Sequence, residues 1–286
     1  MNAKKLYGDF IAKINLEESA EEIQQLGFMV LEHELGLSAT EILMEKNVEV
    51  STDIQNKLNI IAQRLNEHEP IQYILGDAEF LGRRFLVSPA VLIPRPETEE
   101  LVKLVPFQIS SGEENHIRIL DIGTGSGCIA ISLKELMPFA EVYATDVSEA
   151  ALAIAQKNIE RLEPQVKLLK HDILNEDIPV QDVDTIVSNP PYVAQQEKTS
   201  MQKNVLDHEP HMALFVPDND PLVFYKAIAL RGKKVLKPGG HVVVEINALL
   251  GSETISVFES ENYSNVILMK DMNGKDRFVL ATWNPA

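Results

Sequence analysis

Ile117-Arg118-Ile119-Leu120-Asp121-Ile122-Gly123-Thr124-Gly125-Ser126-Gly127 decides the fold of this chain. The apolar run up to Asp121 reads as a buried strand, and the glycines behind it read as a tight turn. Cys128-Ile129-Ala130-Ile131-Ser132-Leu133-Lys134-Glu135-Leu136 then has the character of a helix. Strand, glycine turn and helix in that order form the nucleotide-cradling unit of doubly wound α/β folds. A dinucleotide fingerprint needs a further glycine where Cys128 stands. The G-x-G-x-G spacing beside an acid suits S-adenosylmethionine better than NAD, because no pyrophosphate has to be seated on the helix N-terminus.

Working outward, Glu141-Val142-Tyr143-Ala144-Thr145 is a second strand that ends at Asp146, where a carboxylate can accept both ribose hydroxyls. Strands are expected at 117–122, 141–146, 166–171, 183–188, 240–246, 263–269 and 277–283, with helices near 127–137, 148–162, 221–236 and 250–259. Such alternation argues for an α/β domain with a mostly parallel sheet covered on both faces. Asp271-Met272-Asn273-Gly274 is a turn sequence and predicts that the last two strands form an antiparallel hairpin.

The strand at 183–188 runs into Asn189-Pro190-Pro191-Tyr192. Asn189 offers a side-chain carbonyl, and Pro190, which has no backbone N–H, contributes only a carbonyl acceptor. Tyr192 offers a flat aromatic face. A planar –NH2 group, amide or exocyclic base amine, fits such a corner. With an S-adenosylmethionine cradle upstream, the expected chemistry is methyl transfer to a planar amino nitrogen. Asn189 and Pro190 would each accept one N–H and so orient the nitrogen, while Tyr192 would hold the flat group from one side. Asp146 would hold the ribose, and the backbone of Gly123–Gly127 would pass the amino-acid end. Asp121 would receive the methionine ammonium, directly or through water. Asp172, just after the third strand, is placed either to accept the adenine amino group or to stand as a solvated strand-end acid.

The 286-residue chain is 45% hydrophobic and 24% charged, enough for one large or two smaller globular domains. No apolar run approaches the roughly 20 residues of a membrane span. Met1-Asn2-Ala3-Lys4-Lys5 lacks the apolar core of a signal peptide, so a cytoplasmic protein is expected. A single cysteine excludes an internal disulfide and a cysteine-based metal cluster, and Cys128 reads as a small core residue. The net charge of −17 repels phosphate backbones, making a protein or small molecule the expected substrate rather than bare nucleic acid.

Residues 1–68 read as a helical bundle for recognition, with Leu6, Phe10 and Ile14 on one face, and Ile23, Leu26, Val30 and Leu31 on a second. Ser38-Ala39-Thr40-Glu41 is a capping box, and Thr52 or Asp53 is expected to cap a helix carrying Ile54, Leu58, Ile61 and Leu65. Gln72–Leu75 and Arg84–Val87 read as the strands of a hairpin. Pro94 and Pro96 hold the chain extended, and Pro96-Glu97-Thr98-Glu99-Glu100 starts a helix. This strap is either a rigid linker or a lid over the cofactor. Loop 193–220 is long enough to face substrate. Pro210 breaks the spacing of His208-Glu209-Pro210-His211, so no metal site is expected there.

Four stretches together carry a family resemblance: Pro70–Gly76, Leu92–Glu99, Asp121–Gly127 and Ser188–Tyr192. With them the chain resembles the protein-(glutamine-N5) methyltransferases of class-1 peptide chain release factors. The first two stretches are particular to that family, and the last two are shared with nucleic-acid amino-methyltransferases. The resemblance implies a class I S-adenosylmethionine-dependent methyltransferase, doubly wound on a seven-stranded mostly parallel sheet. It implies a helical substrate-recognition domain over 1–68, a β-hairpin linker over 69–93 and a methyltransferase domain over 94–286. The implied substrate is the glutamine of a Gly-Gly-Gln loop, with no nucleic-acid or membrane partner. Gly123, Thr124, Gly125, Ser126, Gly127, Asp146 and Asn189 match its cofactor-contacting positions, and Asn189, Pro190, Pro191 and Tyr192 match its substrate corner. Two loops depart from the family pattern, at Glu245-Ile246-Asn247 and at Val216–Leu222. The alternative readings are a methyltransferase acting on adenine N6 or guanine N2, and a non-catalytic S-adenosylmethionine-binding partner of the translation machinery.

Overall fold

A computed structural model describes residues 2–108 and 117–285. The chain divides into two compact units, Met1–Asp77 with Gln202–His208, and Ala78–Met201 with Glu209–Ala286.

The first unit holds α1 (Ala3–Ile11), α2 (Ala20–Leu35), α3 (Ala39–Leu43), α4 (Thr52–Asn66) and α5 (Ile71–Leu75). Reciprocal capping boxes, Ser19 with Glu22 and Ser38 with Glu41, start α2 and α3 by satisfying amide donors that a helix leaves free. Leu6, Phe10, Val30, Leu31, Ile61 and Leu65 make its core. Two expectations need correction. The cap of α4 is Ser51, whose hydroxyl accepts from the Ile54 amide, so Thr52 is already helical. Gln72–Leu75 is helical rather than extended, because a short apolar run has no period that separates strand from helix. Gly76, at φ 82°, closes that turn with a bond from its amide to the Gln72 carbonyl.

The hairpin lies just beyond, as β1 (Asp77–Phe80) and β2 (Arg83–Leu86). Leu81 and Gly82 between them both have positive φ, the conformation that a two-residue hairpin turn requires. The strap follows, then α6 (Pro96–Leu104), with Pro96 at its first position. Next come β3 (Arg118–Ile122), α7 (Cys128–Leu136), β4 (Glu141–Asp146), α8 (Glu149–Leu162), β5 (Val166–Lys170) and β6 (Val183–Ser188). A short pair, β7 (Val193–Ala194) and β8 (Phe215–Val216), brackets α9 (Lys203–His208) and α10 (His211–Leu214). The chain ends with α11 (Val223–Gly232), β9 (Leu236–Glu245), α12 (Gly251–Ser260), β10 (Ser264–Lys270) and β11 (Asp276–Trp283).

The seven-stranded sheet has the order β10-β11-β9-β6-β3-β4-β5, parallel except for β11, which runs antiparallel to both neighbours. Successive residues serve opposite faces: Val243 joins one core, and Val242 and Val244 the other. Burial on both faces is why these strands read as unbroken apolar runs. From β3 the chain winds outward through β4 and β5, then returns to place β6 on the other side of β3. That reversal opens a crevice at the carboxyl ends of β3 and β6, where doubly wound folds take their ligands.

Candidate active site

The crevice holds a cavity of about 300 Å³. That is the lower end of the range of small-molecule sites. The glycine loop forms its floor. Gly123 and Gly125 have φ of 74° and 54°, and a Cβ added to either would meet nothing within 4 Å. Glycine is needed there for backbone conformation, and the open space beside it leaves room for a ligand. Gly127, at φ 83°, packs so tightly that a Cβ would lie 3.3 Å from Ala155 and Ile131. The amides of Gly123 and Thr124 both donate to the Thr145 carbonyl at 2.9 Å, pinning the loop to β4.

Asp121 lies beneath this loop, fully buried. Its Oδ2 accepts from the Thr124 hydroxyl at 2.6 Å, while its Oδ1 has no partner. Burial pushes its carboxyl up to about 7. The Ser126 hydroxyl is also buried without a partner. A buried acceptor and hydroxyl left open beneath a glycine cradle fit a ligand with an ammonium at this end. Asp146 closes β4, accepting from the amides of Gly125 and Ser148 at 2.9 Å each, and burial raises its carboxyl. These two bonds fix the carboxylate and leave it acceptor capacity for two hydroxyls. Asp172 accepts from the Leu174 amide and the Asn175 side chain, and the latter bond helps hold its carboxyl below its ordinary value.

Asp146 and Asp172 both line the cavity, as do Gly123 through Ser126 and the residues Asn189, Pro190 and Pro191. Asp121, Gly127 and Tyr192 do not. The strap residues Ala90–Arg95 form another wall. The strap is clasped by Glu209, which bonds the Arg95 guanidinium and accepts from the Ile93 amide at 3.3 Å. Glu209 therefore serves as a buried anion. The described residues contain no cluster of metal-ligating side chains.

At the end of β6 the Asn189 side chain donates its Nδ2 to the Thr98 hydroxyl at 3.0 Å. Thr98 in turn donates to Glu245 Oε2 at 2.7 Å, and the Tyr192 hydroxyl donates to Glu245 Oε1 at 3.0 Å. Neither Asn189 Oδ1 nor the Pro190 carbonyl has a partner among the described residues. Two acceptors thus stand at the cavity wall. Thr98 and Glu245 were not picked out by sequence reasoning. The available signal was positional: a lone acid closing the apolar strand β9, next to β6 in the sheet, stands level with Asn189.

The methyltransferase small domain family matches residues 104–212, and the PrmC N-terminal domain family matches residues 11–76. A release factor glutamine methyltransferase of Bacteroides thetaiotaomicron is 50% identical over 91% of this chain and 93% of its own length. The chain belongs to the release factor glutamine methyltransferases. A member from Flavobacterium psychrophilum is 42% identical over 90% of this chain and 91% of its own length. A Pyrococcus furiosus methyltransferase structure, 19% identical, superposes with a TM-score of 0.53 over 82% of this chain and 100% of its own. That likeness concerns the class I methyltransferase fold, which the family assignment gives independently.

Proposed function

We propose that this protein methylates the side-chain amide nitrogen of the glutamine in the Gly-Gly-Gln motif of class-1 peptide chain release factors, using S-adenosylmethionine. The observation that carries this reading is the orientation of Asn189. Its nitrogen is engaged by Thr98, so its oxygen and the Pro190 carbonyl are the two acceptors left for a primary amide.

The donor's sulfonium supplies an already activated methyl carbon. The protein's task is alignment and exclusion of water. An amide nitrogen is a poor nucleophile because its lone pair is delocalised. Asn189 Oδ1 and the Pro190 carbonyl each take one N–H, which fixes the plane of the amide and turns the nitrogen toward the methyl carbon. The bound donor would supply the methyl group, with its sulfur leaving with the bonding pair, and the methylated nitrogen would lose its extra proton late, so no strong side-chain base is required. Asp146 would hold the ribose hydroxyls, Asp172 the adenine amine, and Asp121 the ammonium beneath Gly123–Gly127. Tyr192 supports the corner through Glu245 rather than from the cavity wall.

The helical unit, with a core of its own, serves to dock the folded release factor away from its glutamine. The protein works in the cytoplasm, where release factors meet ribosomes, without a nucleic-acid or membrane partner. Among the described residues no helix is long and apolar enough to cross a membrane. The test is a methylation assay on purified release factor beside bulk RNA and DNA. Label should enter release factor alone, and be lost when its Gly-Gly-Gln glutamine is replaced. Label in nucleic acid would favour the base-modifying reading instead.

A further inference from the structure

Asn189 can face the cavity with either end of its amide, and only one orientation offers an acceptor to a substrate N–H. The choice is made by a hydroxyl. Thr98 has one proton, and it points at Glu245 Oε2 at 2.7 Å. Its oxygen is then obliged to accept, and the group it faces is Asn189 Nδ2 at 3.0 Å. We propose that Glu245, acting through Thr98, is the positioning residue that holds the Asn189 oxygen toward the substrate amide. This inference rests on the glutamine-methylating function proposed above.

The surroundings leave the relay little freedom. Glu245 and Thr98 are 1% and 3% exposed, so water does not compete for their bonds. The Tyr192 hydroxyl occupies the other Glu245 oxygen. Burial raises the Tyr192 phenol far above its ordinary value, so it stays a donor to Glu245. Burial raises the Glu245 carboxyl as well, and the hydroxyls that Thr98 and Tyr192 point at its two oxygens oppose that rise, as does the charge of Arg277. The relay spans three elements: Glu245 ends β9, Thr98 sits in the first turn of α6, and Asn189 follows β6. Pro96 at the start of α6 fixes the turn that presents Thr98.

The relay is tested by changing hydrogen-bond direction while keeping shape. Thr98→Val should lower kcat on release factor at least roughly tenfold, with KM and the dissociation constant of S-adenosylhomocysteine within about threefold. Thr98→Ser, which keeps the hydroxyl, should recover most of that loss. The side-chain amide resonances of Asn189 should move in Thr98→Val and stay in place in Thr98→Ser. A second arm survives poor folding of Thr98→Val. Asn189→Asp places a new carboxylate against Thr98, whose single proton already goes to Glu245. Adding Glu245→Gln supplies a donor to Thr98 and frees that proton, so the double variant should turn over faster than Asn189→Asp alone. Unchanged kcat in Thr98→Val, equal losses for Val and Ser, or no recovery in the double variant would each overturn the relay. If the wild-type protein methylates no release factor, the proposed function fails, whereas the Asn189 resonances still report on the relay.

Discussion

In the proposed mechanism Asn189 acts through one oxygen, so its variants separate orientation from mere presence. Asn189→Ala removes one of the two acceptors that fix the amide. It should abolish methylation while leaving S-adenosylhomocysteine binding within about threefold, because the loss falls on the chemical step. Asn189→Asp keeps an acceptor and should retain more activity than the alanine variant. Equal single-turnover rates for the two would sink the amide clamp. Asp121 gives a second test, through pH. Its carboxyl stays protonated up to about 7 in the folded protein, whereas an ordinary aspartate ionises near 3.8. The unfolded chain therefore binds fewer protons between those values, and stability falls as pH rises through that window. The gap is worth about 4 kcal/mol at most. A bound ammonium reverses the preference, since it attracts the ionised form. Affinity for S-adenosylhomocysteine should therefore weaken toward tenfold for each pH unit below about 7 and level off above it. Asp121→Asn should flatten both the melting and the binding profile, as should replacing the ligand by methylthioadenosine, which has no ammonium, for the binding profile alone. Calorimetry showing the same slope for both ligands would detach Asp121 from the ammonium. The positions of Asn189 and Asp121 stood out in the sequence because Asn189 follows an apolar strand before two prolines and Asp121 lies near the end of another, two residues before a glycine. Thr98 was not, since a hydroxyl in a first helical turn looks like ordinary capping chemistry until its partners are in view.

Among elements, the strap and the clasp on it offer the most direct intervention. The Glu209 side chain is 1% exposed and the Arg95 side chain 33%, so the pair is only half screened by water. Glu209→Ala would leave Arg95 unpaired and the Ile93 amide without its acceptor. The expected cost is about 1–3 kcal/mol, the scale of a buried hydrogen-bonded charge whose partner is lost. Hydrogen exchange at Ile93 and its neighbours should quicken, and cofactor affinity should fall, because residues 90–95 wall the cavity. If the strap amides stay as protected as in wild type, the clasp does not hold it. Sequence reading left the strap open between a linker and a lid, because proline spacing reveals stiffness but not what lies alongside. Its carboxylate lies 114 residues away, next to Pro210 in a stretch that was weighed as a metal site and set aside. Elements with a strong period were located to within a few residues: α8, read as 148–162, is Glu149–Leu162. The failure was α5, too short to show a period, and the true β1 opens with Asp77, a residue depleted in strands.

At the scale of the whole molecule, the division of labour between the two units can be tested by separating them. Every residue lining the cavity belongs to the second unit, from Ala90 to Ile228. The first unit has its own core, built on α1, α2 and α4, and supplies no lining residue. A folded release factor presents far more surface than one loop, and contacts remote from the glutamine can orient an unreactive amide. A chain beginning at Ala78 should therefore bind S-adenosylhomocysteine nearly as tightly as the full chain. It should methylate whole release factor at least roughly tenfold less efficiently, a loss of about 1.4 kcal/mol in transition-state binding. One complication is built into the chain. Residues Gln202–His208 fold with the first unit, and the His208 ring bonds the Glu67 carbonyl at 3.1 Å. Removing residues 1–77 strips that segment of its partners just before Glu209 and the cavity residues Pro210 and Met212. A short Gly-Gly-Gln peptide supplies the control, since it reads the cavity without the remote surface. Docking by the helical unit requires equal peptide rates for the two forms together with a fall on whole release factor. Equal rates on whole release factor would reject docking, and a fall on peptide as large as that on the protein would assign residues 1–77 a purely structural part.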